Sequence, residues 1–111
     1  LQDLDVQLTR AKAFDTFAPL GPWIETDLDV SNLAIEGKVN GEVRQSSSTR
    51  ELIFPCAFLV STISRVMTLF PGDVIATGTP AGIGALADGD TVEITIEGIG
   101  TLANPVRSAR P

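Results

Sequence analysis

Histidine is absent from the 111 residues, and cysteine occurs once. The first absence removes histidine metal sites, Ser-His-Asp triads and histidine proton shuttles. The second rules out an intramolecular disulfide, and a reducing cytoplasm is the expected compartment. Basic residues are scarce: 8 Lys and Arg stand against 14 Asp and Glu, giving a formal charge of −6 and a pI of about 4.4. Nucleic acid and anionic membranes both call for a basic face and are not expected partners. No apolar run is long enough to span a bilayer. The best stretch, Phe54 to Phe70, is interrupted by Ser61, Thr62, Ser64, Arg65 and Thr68. The N-terminus, LQDLDVQLTR, has no apolar signal segment. It does not begin with Met, so a fragment or a processed piece is expected. The length suits one domain or part of one, and 43% hydrophobic with 20% charged residues is ordinary globular composition.

Turn chemistry punctuates what is present. In FDTFAPLGPWI (14–24), Pro19, Gly21 and Pro22 exclude a helix, and the pattern predicts a turn leading into a short strand at Trp23–Thr26. Asn40-Gly41 is a strong hairpin signal, because both residues tolerate positive φ. Strands are expected at 34–39 and 42–46, with a loop over Ser46–Thr49. In PCAFLVSTISRVMTL (55–69), Leu59, Ile63, Val66, Met67 and Phe70 follow the spacing of one helical face. Pro55 suits the first turn and Pro71-Gly72-Asp73 the end, so a helix is expected over about 55–70.

Seven glycines fall between residues 72 and 100. Val74-Ile75-Ala76 reads as a short buried strand, residues 78–84 as a loop and Asp88-Gly89-Asp90 as a turn. Thr91–Glu97 alternates Val92, Ile94 and Ile96 with polar residues, the pattern of a half-buried strand. Thr101–Val106 is the expected last strand. The fold class is α+β, mainly β, with one packed helix. A chain this small buries a modest core and leans on partner surface.

Several positions carry chemistry. GTPAGIG (78–84) lacks the ending of a phosphate-binding Walker loop, and no useful helix follows it. It is either a tight structural turn or a cradle of N–H groups and a threonine hydroxyl for a carboxylate or phosphate. Lys12, near Phe14 and Asp15-Thr16, is either solvated or held for an anionic substrate or enolate. Asp3 and Asp5 offer Mg²⁺ ligands or a merely solvated acidic stretch. Cys56 at a helix start is either a low-pKa thiol or a small buried side chain. Phe14, Phe17, Trp23 and Phe54 are expected in the core, and Arg65 in a salt bridge or interface.

The runs RAKAFDTFAPLGPWI (10–24), VNGEVRQ (39–45), SRVMTL (64–69), PGDVIATGTPAGIG (71–84) and VEITIEGIGTLANPV (92–106) together resemble the fumarylacetoacetate hydrolase family. They look closest to its 2-hydroxyhepta-2,4-diene-1,7-dioate isomerase, decarboxylase and acylpyruvate hydrolase branch. The resemblance implies a mixed β-sheet roll, of which residues 1–106 form the C-terminal part of the catalytic domain and 107–111 a flexible tail. It implies a metal-dependent enzyme of 2-oxo or 2-hydroxydienoate acids, acting by hydrolysis, decarboxylation or isomerisation in aromatic catabolism. Its metal, Mg²⁺ or Mn²⁺, is held by a Glu-x-Glu pair and an Asp expected upstream of Leu1, and the family's His-Glu pair is upstream too. This chain alone is therefore expected to bind no cofactor and to be inactive. Gln2 matches a substrate contact, Lys12 the lysine beside the metal, Thr16 a hydroxyl near that lysine, and Thr79 the threonine that binds a substrate carboxylate. Ala13 stands where the family commonly has glycine. A 2-oxo acid substrate and a cytoplasmic homodimer of the complete protein are implied. The alternative is a truncated, non-catalytic domain that keeps the fold and dimer surface; a free-standing β-rich ligand-binding module is a third reading.

Overall fold

The computed structural model describes residues 7, 9 and 12–108. Four strands, β1 (Ala34–Val39), β2 (Glu42–Ser48), β3 (Thr91–Ile96) and β4 (Gly100–Pro105), form one sheet in the order β2-β1-β3-β4. All three pairings are antiparallel. Asn40 and Gly41 make the β1–β2 turn with φ of 52° and 80°, the positive values that match a tight hairpin to the strand twist.

Cross-strand partners place Ile35 opposite Ile96, Val39 opposite Val92 and Ile94 opposite Leu102. Directly opposed residues share a face, so these six side chains make one apolar face. On the other face Lys38 pairs with Glu36 at 2.8 Å, and the Thr95 and Thr101 hydroxyls share a 2.8 Å hydrogen bond. The far ends of the two hairpins are tied together. Asn40 donates its side-chain amide to Asp90 at 2.8 Å, and its carbonyl Oδ1 accepts from the Thr91 N–H at 2.9 Å.

β2 runs past the expected loop to Ser48, because Ser47 and Ser48 pair with Ile35 and Ala34 and the Thr49 N–H donates to the Leu33 carbonyl. Three serines have little intrinsic strand preference; the neighbouring strand imposes it. A short 3-10 turn, Thr49–Glu51, follows. Helix α1 is shorter than expected, Cys56–Ser64. The Val66 and Met67 N–H groups both reach the Ile63 carbonyl, tightening the last turn, and Asp73 accepts the Phe70 N–H at 2.7 Å. That bond draws Phe70 into the Pro71-Gly72 turn and out of the helix.

Two further expected strands are irregular chain. At Trp23–Thr26 the Glu25 carboxylate takes the Thr26 and Asp27 N–H groups at 2.8 and 2.9 Å, diverting them from any ladder. Val74–Ala76 finds no partner strand among the described residues, and Val74 is exposed rather than buried.

The described residues close almost no core of their own. The chain's accessible surface is 9140 Å², where a compact protein of this mass shows about 5,900 Å². Its radius of gyration is 15.4 Å, against about 13 Å for a compact domain of this length. Among the described residues only Leu33 is a buried apolar side chain, at 7% exposure. Phe14, Phe17, Trp23 and Phe54, expected in the core, are exposed, because the layer that would cover them is not among the described residues. Arg65 is exposed and makes no ion pair with a described residue. No helix among the described residues is long and apolar enough to cross a membrane.

Candidate functional site

The glycine-rich loop 78–84 lies across β2 and the 3-10 turn. Gln45 donates its side-chain amide to the Pro80 carbonyl at 2.8 Å. Gly82 rests on the backbone of Arg44 so closely that a Cβ would overlap the Arg44 carbonyl. Any other residue at 82 would lift the loop off the strand. Between loop and strand runs a cleft of about 240 Å³ that Thr79 lines, facing the hydroxyl residues Ser47, Ser48 and Thr49.

Two of those hydroxyls are committed: the Thr49 Oγ1 accepts from the Leu33 N–H and the Ser48 Oγ donates to Asn32. The Thr79 hydroxyl and the backbone N–H groups of 77–79 and 81–84 have no hydrogen-bond partner among the described residues. Unspent donors beside small residues suit an oxyanion such as a carboxylate. Glu51 at the rim is engaged by the Arg50 Nε at 2.9 Å.

Thr16 lines a second groove, about 840 Å³, over Val92, Ile94, Ile96 and Leu102. It sits in a tight turn closed by the Phe17 N–H on the Phe14 carbonyl, with φ of 70°. A β-branched residue there costs roughly 1–3 kcal/mol, which the surroundings must offset. Thr16 and Thr79 thus line different grooves. Both grooves open on the same apolar face, since Ile35 in one and Ile96 in the other are cross-strand partners. Lys12 is exposed, lines neither groove, and pairs with no described residue. Gln2, with Asp3 and Asp5, lies outside the described residues.

Cys56 is half-buried at the first turn of α1. Among the described residues no group of three or more Cys, Asp or Glu stands close enough to hold a metal ion. These residues do not fit the donor set of a divalent metal site. The shifted carboxylates belong to turns instead. The Ala87 N–H and the Asn40 amide hold Asp90 below the usual carboxylate range, and the Ser31 backbone and hydroxyl do the same for Asp29. Gln45 as the buttress of the loop has no sequence signal; only the register of β2 reveals it.

Residues 1–107 match the family model described as fumarylacetoacetate (FAA) hydrolase, C-terminal. The 4-hydroxyphenylacetate degradation bifunctional isomerase/decarboxylase of Salmonella dublin is 47% identical over 100 residues, covering 87% of this chain and 23% of that protein. The solved 5-carboxymethyl-2-hydroxymuconate delta-isomerase of Mycobacterium smegmatis superposes with a TM-score of 0.92 at 59% identity, over 96% of this chain and 42% of that one. A maleylpyruvate hydrolase from Sphingobium sp. SYK-6, solved with manganese(II) and pyruvate, superposes with a TM-score of 0.85 at 44% identity, over 88% of this chain and 38% of that one. The chain spans less than half the length of the curated relatives it matches, 45% and 43% for two of them. An antiparallel sheet with helix α1, a glycine loop seated on the β2 strand and a match over nearly every residue agree: the chain belongs to the fumarylacetoacetate hydrolase family.

Proposed function

We propose that this chain is the C-terminal part of the catalytic domain of a metal-dependent enzyme acting on 2-oxo or 2-hydroxydienoate acids. The reaction is C–C hydrolysis, decarboxylation or isomerisation in aromatic catabolism. The observation that carries the reading is the cleft under the 78–84 loop, with its unspent donors around Thr79. In this reading the loop N–H groups and the Thr79 hydroxyl bind one carboxylate of the substrate and set its orientation. Gln2 contacts the substrate, and Thr16 lies near Lys12.

Lys12 supplies a fixed positive charge to the oxygen that gains negative charge as the 2-oxo acid passes to its enolate. Such a charge is worth far more where water is excluded, and Lys12 is exposed in this chain. Exclusion must then come from surface beyond the described residues, and the open apolar face is where such surface would pack. A divalent cation, Mn²⁺ or Mg²⁺, belongs to the complete protein in this reading, with its carboxylate ligands upstream of Leu1. The complete protein is a cytoplasmic homodimer.

The open face also favours a second reading, a non-catalytic chain that keeps the fold and an association surface. The experiment is turnover of a panel of acylpyruvates, oxaloacetate and hydroxymuconate-type acids by the complete protein with Mn²⁺ or Mg²⁺. Turnover of at least one acid by the complete protein is expected, and none by residues 1–111 alone. A complete protein inert towards the whole panel in both metals leaves the non-catalytic reading.

A further inference from the structure

Residues 14–28 cross the sheet without forming any regular element, and how they stay there has a specific answer. Every hydrogen bond that residues 13–31 make to a described residue stays inside that segment: Phe17 to Phe14, Thr26 and Asp27 to Glu25, Ser31 to Asp29. The segment carries Asp15, Glu25, Asp27 and Asp29, and no described cation pairs with any of them. Neither backbone ladder nor ion pair therefore fixes it to the rest of the described molecule.

Packing against two glycines does. The three-residue β3–β4 connection has Gly98 within it and Gly100 at the start of β4. A Cβ on Gly100 would lie 3.2 Å from the Trp23 Cη2, and one on Gly98 would lie 2.7 Å from the Leu28 Cδ1. The missing side chains are the notches into which Trp23 and Leu28 fit. Nearer the N-terminal end, Gly21 approaches Leu102 in β4, and Thr16 lies over the apolar groove beyond.

We propose that Trp23 over Gly100 and Leu28 over Gly98 latch the 14–28 segment onto the β3–β4 hairpin, making Trp23 a positioning residue for Thr16 and the adjoining Lys12. The second half of that statement rests on the functional reading above; the latch itself does not. The physics is that of a low-stability unit: a segment held only by side-chain contacts opens without unfolding the sheet. Leu28 is the more buried of the two anchors, and Trp23, largely exposed on its outer side, lays one edge of its ring on Gly100.

The test uses the complete protein. Limited chymotrypsin cleavage, with mass spectrometry locating the cut, reads opening at Phe14, Phe17 and Leu20. Trp23→Ala is expected to raise the cleavage rate there by at least about tenfold, with cleavage tracking the open population. Hydrogen exchange in peptides from β1 and β3 should stay as in the parent. Leu28→Ala should raise it as well, and Trp23→Phe, which keeps a plate over Gly100, should stay near the parent. Cleavage at the parental rate in Trp23→Ala and Leu28→Ala overturns the latch. So does loss of sheet protection together with the segment, which would make Trp23 part of the sheet's own core. Kinetics then test positioning: on an acid the parent turns over, kcat should fall about 10–100-fold in Trp23→Ala, the scale of a misplaced reacting group. KM should move much less, and Trp23→Phe should restore most of kcat. Parental kcat in a Trp23→Ala protein whose segment opens overturns positioning and leaves the latch. A parent inert on every acid fails the functional reading and takes positioning with it, while the cleavage result still decides the latch.

Discussion

Strands β1 and β3 each exchange backbone hydrogen bonds with two neighbours, whereas residues 13–31 make none to any described residue outside their own segment. The 78–84 loop lies between these extremes, with one side-chain amide from Gln45 and the close seat of Gly82 holding it to β2. The two central strands are bonded along both edges, while β2 and β4 each keep an outer edge with no described partner strand. The two loop regions, which carry Thr16 and Thr79, depend on packing and leave their donors open. That division is common where a rigid framework presents loops to a ligand. It also separates two kinds of mutational effect, which the following experiments can break apart.

The largest expected effect is on chemistry and should leave the scaffold untouched. In the complete protein Lys12→Met keeps the aliphatic stem and removes the charge. kcat should fall by roughly 10²–10³, about 2.7–4 kcal/mol, as for loss of one donor to a developing oxyanion. The thermal midpoint should not move, because no described residue pairs with the Lys12 ammonium. Steady-state kinetics beside calorimetry check both halves, and a kcat within threefold of the parent would return Lys12 to the solvent.

Leu33→Ala should do the opposite, lowering stability and sparing the chemistry. Leu33 anchors the entry to β1 and is the buried apolar residue of the described chain. The loss should be about 2–3 kcal/mol, the lower part of the Leu→Ala range, because its open surroundings can collapse around the gap. Urea titration measures it.

Smaller again is Thr79→Val, which removes a hydroxyl that touches a charge present throughout the reaction. KM should rise about tenfold, about 1.4 kcal/mol, with kcat little changed. A pure kcat effect would place Thr79 at the reacting centre instead.

The smallest effects concern the Asn40–Asp90 tie between hairpin ends. Asn40→Ala loses two side-chain hydrogen bonds and should cost about 1 kcal/mol. Asp90 is held below its ordinary value of 3.8 by the Ala87 N–H and the Asn40 amide. Its contribution is therefore present in full above pH 3.8 and is lost as the pH falls through the lower folded value. Lys38 runs the other way: its partner Glu36 raises it above 10.5, so its contribution is present below that pH and is lost as the pH rises through the folded value. Both groups are half-buried and still reach solvent, so salt should weaken each effect. Acid-limb unfolding curves of the parent and Asn40→Ala should differ most at neutral pH and draw closer as the pH falls through the lowered Asp90 value, leaving the part owed to the bond from the Thr91 N–H. Parallel curves would mean that Asp90 is not the group responsible.

Local chemistry wrote the scaffold into the sequence. Asn40-Gly41 marks its turn because both residues accept positive φ, and the alternation of Val92, Ile94 and Ile96 marks β3, since a pleated strand turns every second side chain to the same face. The GTPAGIG loop and the family resemblance are likewise legible, because a run of small residues marks a place where backbone approaches something closely. What the sequence could not decide was anything set by a partner distant along the chain. Ser47 and Ser48 are strand only because Ile35 and Ala34 capture them, and the chain past Ser64 leaves α1 as the Val66 and Met67 N–H groups share the Ile63 carbonyl and the Phe70 N–H goes to Asp73. The seating of Gly82 on Arg44 and of Trp23 over Gly100 likewise depends on register and strand order. Apolar periodicity names the face a side chain will bury; whether a layer is there to bury it is decided by tertiary structure. Hence Phe14, Phe17, Trp23 and Phe54 read as core in the sequence and stand exposed in the fold.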